Sequence, residues 1–68
     1  MHHGYVARVN EERGFGFIAM ADPPDLFFHC SELQGGLIFD AQLKMRRVEF
    51  EIVDSPKGPR AANVRPAE

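Results

Sequence analysis

Two short runs, Arg13-Gly14-Phe15-Gly16-Phe17-Ile18 and Asp25-Leu26-Phe27-Phe28-His29, carry the residue types in this chain best suited to meeting a ligand. Side chains alternate faces along a strand. Phe15 and Phe17 therefore share one face while Gly14 and Gly16 occupy the other. In the second run Phe27 falls with His29, and Leu26 falls with Phe28. Leu26 and Phe28 suit a core, which leaves Phe27 and His29 facing out. If the two runs pair side by side, the outward rings form one patch, and a small domain rarely exposes several aromatics without a use for them. Unpaired bases are the best physical match, because each stacks on a ring for ~1–3 kcal/mol while nearby cations meet the phosphates. The competing reading buries Phe15, Phe17 and Phe27 as core. It would turn Ile18 and Phe28 to water, so parity favours the outward assignment.

The elements that must position these rings follow from alternation and turn residues. Residues 5–10 read as a first strand, 11–14 as a turn and 15–20 as a second strand. Asp22-Pro23-Pro24-Asp25 reads as a turn, since two prolines lack the donors a ladder needs. Residues 26–29 form a third strand, and residues 31–33 suit one 3-10 turn capped by Ser31. A long connection covers 34–46. Val48-Glu49-Phe50-Glu51-Ile52 alternates apolar and acidic residues as a half-buried strand does. A loop at 55–59 and a last strand at 61–65, ended by Pro66, complete an all-β chain of one domain, 1–68. The implied core is Val6, Ile18, Leu26, Phe28, Leu33, Val48, Phe50, Ile52 and Val64. Gly14 and Gly16 add no side chain to it, as suits strands that coil tightly to close a barrel.

Gly4-Tyr5-Val6, Asn10, both aromatic runs, Ser31 and the stretch Pro56-Lys57-Gly58-Pro59-Arg60-Ala61-Ala62-Asn63-Val64 together resemble a bacterial cold shock protein over nearly the whole chain. The first run resembles that family's RNP1 motif and the second its RNP2 motif. The resemblance implies a five-stranded antiparallel OB-fold barrel with a short 3-10 turn after strand 3, binding single-stranded RNA or DNA as an RNA chaperone does. The resulting set of nucleic-acid-binding residues is Arg8, Arg13, Phe15, Phe17, Asp25, Phe27, His29, Phe39, Lys57 and Arg60. Asp25 either finishes the proline turn or, as the resemblance suggests, accepts from a base amino group. Phe39 is either a loop anchor or a mobile cover that stacks on an outer base. Lys57 and Arg60 are either solvated or in contact with phosphate.

Departures from the family pattern bear on mechanism. Ala7, Arg8 and Val9 stand where the family typically carries Lys-Trp-Phe, and Cys30 stands where it carries an aromatic. Fewer platforms imply weaker binding than the family norm. Arg8 compensates in part if it reaches the surface, because a guanidinium stacks on a base and attracts phosphate. Strict alternation from Val6 points Arg8 inward, so its surface placement requires a bulge in the first strand. Met45 stands where related sequences carry a turn glycine, a costly exchange if its φ is positive.

Length and charge bound the function independently. A chain of 68 residues buries only about 60% of its unfolded surface, too little scaffold for a large multi-substrate active site. It has no apolar run near the ~20 residues of a membrane span and no leader pattern, so a cytoplasmic location is expected. The single cysteine, Cys30, excludes an internal disulfide framework. The formal net charge of −2 argues against binding by bulk electrostatics, so stacking must carry more of the affinity. No catalytic, metal or cofactor site is expected: Cys30 and His29, as strand neighbours, would point to opposite faces. Met1-His2-His3 could wrap Cu(II) or Ni(II), but a chance pair of histidines is the simpler reading. The expected partner is a single strand, pyrimidine-rich strands included, bound by a monomer, with a dimer or strand swap left open. The alternative reading is an OB-type barrel whose aromatic face serves protein contact or self-association.

Overall fold

Residues 1–21 and 25–67 are described by the computed structural model, and all but Asp25 of the expected turn at 22–25 lies outside them. The alternating runs become five strands: β1 (His2–Asn10), β2 (Phe15–Ala19), β3 (Asp25–His29), β4 (Arg47–Ser55) and β5 (Gly58–Pro66). They close into a barrel in the order β1-β2-β3-β5-β4, with β4 returning to β1. Closure leaves none of the five strands as a bare edge. All neighbours pair antiparallel except β3 and β5, which meet in parallel at Phe27 and Arg60. A 3-10 turn, Cys30–Glu32, follows β3. A second, Ala41–Leu43, lies in the long connection expected over 34–46.

Val6, Ile18, Leu26, Phe28, Val48, Phe50 and Val64 are fully buried, as the alternation requires. Leu33 and Ile52 are only half-buried at the margin of this core. Leu43 and Ala61, which are not in the expected core, are buried within it. Leu43 enters because the turn Ala41–Leu43 folds under the barrel, held by Asp40, whose Oδ1 accepts from the Gln42 N–H at 2.9 Å. Nothing in its neighbours' periodicity marks it.

Two local irregularities set the geometry of the outer face. Val6 pairs with Ile18 but Arg8 pairs with Phe17, so Ala7 is an extra residue and β1 is bulged there. The bulge resets the parity and turns Arg8 outward beside Phe17. Beyond the connection, Met45 has φ 72°. Its N–H donates to Val6 O at 2.6 Å and the Val6 N–H donates to Arg46 O at 3.0 Å, clamping this turn to β1. A glycine would adopt that φ without the crowding at Cβ that methionine meets.

Candidate nucleic-acid interface

Register places the outward side chains in rows across the barrel. Arg8, Phe17, Phe27 and Arg60 lie opposite one another on β1, β2, β3 and β5 in turn. The next row sets Asn10, Phe15 and His29 side by side. The rings of Phe15 and Phe17 are 5.8 Å apart, Phe15 and Phe27 5.5 Å, and Phe17 and Phe27 6.0 Å. Phe17 meets the other two at angles of 85° and 74°. These edge-to-face contacts suit the ring quadrupoles and hold the platform in shape. All three rings are half-buried, packed against one another and partly open to solvent.

Gly16 explains how the platform sits so close to the core. It is buried, and a Cβ there would lie 2.5 Å from Arg8 O and 2.7 Å from Phe28 Cζ. The Phe28 ring occupies the space that any side chain between Phe15 and Phe17 would need. Gly14, at φ +75°, ends the turn into β2; its N–H donates to Asn10 O at 2.9 Å, and the Arg13 N–H donates to Asn10 Oδ1 at 3.1 Å. Asn10 thereby fixes where Phe15 begins.

His29 is exposed and its ring is oriented from below. Nδ1 accepts from the Ser31 N–H at 3.1 Å, so His29 caps the 3-10 turn in place of the expected Ser31, which lies inside the turn with its Oγ 2.9 Å from the same Nδ1. Accepting at Nδ1 leaves the imidazole proton on Nε2. The Cys30 Sγ lies 3.9 Å from the same Nδ1, which corrects the expectation that these neighbours point apart. Cys30 opens the 3-10 turn rather than continuing the strand, so its side chain swings toward the ring. The Nδ1 lone pair is already engaged by the backbone, and the long sulfur contact makes no activated nucleophile.

The remaining expected residues divide by location. Arg8 is exposed and lines an open groove of about 800 Å³ with Phe15 and Phe17. Asp25 is exposed at the start of β3 and shares a smaller depression with Arg8 and Phe17. Arg13 is exposed in the turn before β2, and Lys57 is exposed in the two-residue turn between β4 and β5. Arg60 stands beside Phe27, but Glu32 Oε2 lies 3.5 Å from its guanidinium; a phosphate there must compete with that carboxylate. Phe39 is half-buried against the core, with its ring 6.2 Å from Phe28 and nearly perpendicular to it. This packing is that of a loop anchor.

One cation was not in the expected set. Lys44 lines the same groove as Arg8, Phe15 and Phe17, together with Glu11 and Glu12. It arrives there through the closure of β4 on β1, a long-range event that local spacing does not encode. Elsewhere His3 Nε2 lies 3.9 Å from Glu49, and His2 stacks on Phe50 at 6.2 Å. Among the described residues no group of three or more His, Cys, Asp and Glu side chains converges as metal ligands would, and no helix is long and apolar enough to cross a membrane.

Comparison with known proteins adds an independent line. The family model described as "'Cold-shock' DNA-binding domain" matches residues 2–67. The chain is 48% identical over 66 residues to "Probable cold shock protein A" of Mycobacterium tuberculosis, covering 96% of this chain and 97% of that protein. It is 45% identical over 64 residues to cold shock-like protein CspD of Bacillus cereus, covering 94% and 96%. It is 48% identical over 62 residues to cold shock-like protein CspC of Escherichia coli K12, covering 90% and 88%.

Proposed function

The chain belongs to the cold-shock DNA-binding domain family, and we propose that it binds single-stranded RNA or DNA without catalysis, by stacking unpaired bases on Phe15, Phe17 and Phe27. The observation that carries this reading is the row Arg8-Phe17-Phe27-Arg60, in register across four strands with Phe15 against both rings. Rings at 5.5–6.0 Å present faces to bases, and the arginines at the ends of the row supply charge for the backbone. In this reading Asp25, beside Arg8 and Phe17, accepts from a base amino group, and His29 extends the platform beyond Phe15. Every base has a π-face, so stacking tolerates sequence, pyrimidine runs included. Holding bases on protein rings keeps them from pairing with one another, which is the action of an RNA chaperone.

Binding is weaker than a fuller aromatic set would give. Of the first-strand positions 7–9, only Arg8 reaches the groove with its charge: Ala7 is the bulged residue and Val9 packs against the core. Each phosphate neutralised on a single strand adds about 0.7 to the slope of log K against log salt. Arg8, Arg13, Lys44, Lys57 and Arg60 therefore cap that slope at about −3.5 for a short strand. Titration with heptathymidine tests the reading. Saturable binding with a slope no steeper than this supports it; no saturable binding would assign the aromatic face to protein contact instead.

A further inference from the structure

The turn joining the second 3-10 helix to β4, with the first residue of that strand, carries Lys44, Arg46 and Arg47, three of the chain's eight basic residues, within four positions. All three are exposed and, among the described residues, none has an ion-pair partner. Arg60 and Arg65, by contrast, are held by Glu32 and Glu49. On a protein of net charge −2, this concentrates unneutralised positive charge at one end of the barrel.

The turn is not loose. Its backbone is clamped to Val6 from both sides through Met45 and Arg46, and Arg47 pairs in register with Tyr5. Lys44 consequently faces the groove of Arg8, Phe15 and Phe17, while Arg47 faces a second groove of about 420 Å³ with His3 and Tyr5. The two grooves lie along one strand, β1, whose outward residues Arg8 and Tyr5 belong to the first and the second. Glu11 and Glu12 also line the first groove and disfavour phosphate beside their own carboxylates. Met45 holds a left-handed φ of 72° with its side chain 68% exposed, a strained backbone at the centre of the cluster.

We propose that residues 44–47 form a second phosphate-binding edge, which receives the backbone of a single strand as it leaves the aromatic face and carries it across β1 from Arg8 and Lys44 to Arg46, Arg47 and Tyr5. The proposal rests on the single-strand reading above and adds to it a length dependence. A strand that only covers the rings reaches Lys44. A longer strand reaches all three cations.

The test compares heptathymidine with a thymidine strand twice as long, using the whole chain and the variant Lys44→Gln/Arg46→Gln/Arg47→Gln. For the longer strand the variant's salt slope becomes shallower by about 1.4–2.1, two to three phosphates at about 0.7 each, and for heptathymidine by at most about 0.7. Between 50 and 200 mM salt the wild-type complex with the longer strand then loses about 7- to 18-fold more affinity than the variant complex does. An equal loss of slope on both strands means a general field effect and overturns the proposal, as does no loss on either. A reading that needs no variant comes from Tyr5, the only tyrosine in a chain without tryptophan. The longer strand changes its emission and heptathymidine does not; identical responses overturn the track across β1. If neither strand binds saturably, the single-strand reading itself fails, whereas saturable binding without length dependence removes only the second edge.

Discussion

Replacing Arg8 by tryptophan separates what stacking contributes from what charge contributes. Arg8 is exposed, pairs with Phe17 and lies at the bulge that turns it away from the core. An indole there enters the open groove that Phe15 and Phe17 line. One added platform strengthens binding by ~1–3 kcal/mol, a factor of roughly 5–150. Against this stands one lost phosphate partner, which makes the salt slope shallower by about 0.7. The gain from Arg8→Trp is therefore smallest at low salt and grows as salt rises. Titrations with heptathymidine at several salt concentrations, with a thermal melt of the same variant, read both effects. Unchanged affinity at every salt with a lowered melting point would mean that position 8 presses on the core, an overpacking cost of about 1–3 kcal/mol. That result would refute the outward placement of Arg8 and the compensation built on it.

Phe17→Ala and Phe27→Ala each weaken heptathymidine binding by ~1–3 kcal/mol and leave the barrel folded. Phe28→Ala costs about 3–5 kcal/mol of stability in a chain whose total is roughly 3–10 kcal/mol, so melts and titrations of the three variants sort rings that bind from rings that fold. Gly16→Ala lowers the melting temperature, because its Cβ meets Arg8 O and Phe28 Cζ at 2.5 and 2.7 Å; a cost of about 1–3 kcal/mol is expected, and an unchanged melt contradicts the close packing of Phe28 over β2. Met45→Gly raises the melting temperature: relief of the left-handed φ is worth roughly 1–2 kcal/mol, of which the freer unfolded chain takes back about 0.4–1 kcal/mol.

The aromatic platform was legible because β2 and β3 run in regular register, Phe15 to His29 through Ala19 to Asp25, without a slip. Alternation alone then separates Phe17 and Phe27 from Ile18 and Phe28. β1 was less legible for the opposite reason. A one-residue bulge at Ala7 reverses parity midway, and no residue type at positions 6–8 announces it; the outward placement of Arg8 came from resemblance to the family pattern. Leu43 escaped notice because a three-residue 3-10 turn is too short to display a period. Glu32 and Arg60 are far apart in sequence and meet only through the β3–β5 contact, so the partial neutralisation of that arginine is a property of the closed barrel. Lys44 reaches the groove by the same kind of long-range closure. Asn63, at φ 53°, is a further case. Its N–H donates to Glu32 Oε1, its Nδ2 to Glu51 Oε1, and its Oδ1 accepts from Gln34 Nε2, where the β4–β5 register shifts between Glu49 and Glu51. Sequence placed it as an ordinary strand residue.

The central claim is that one contiguous set of rings receives the bases, and the aromatic proton resonances of the six phenylalanines report on it residue by residue. On addition of heptathymidine, Phe15, Phe17 and Phe27 shift together with a common saturation curve, while the buried rings of Phe28 and Phe50 move little. Shifts confined to other rings, or a saturable complex in which Phe15, Phe17 and Phe27 stay in place, would contradict the account.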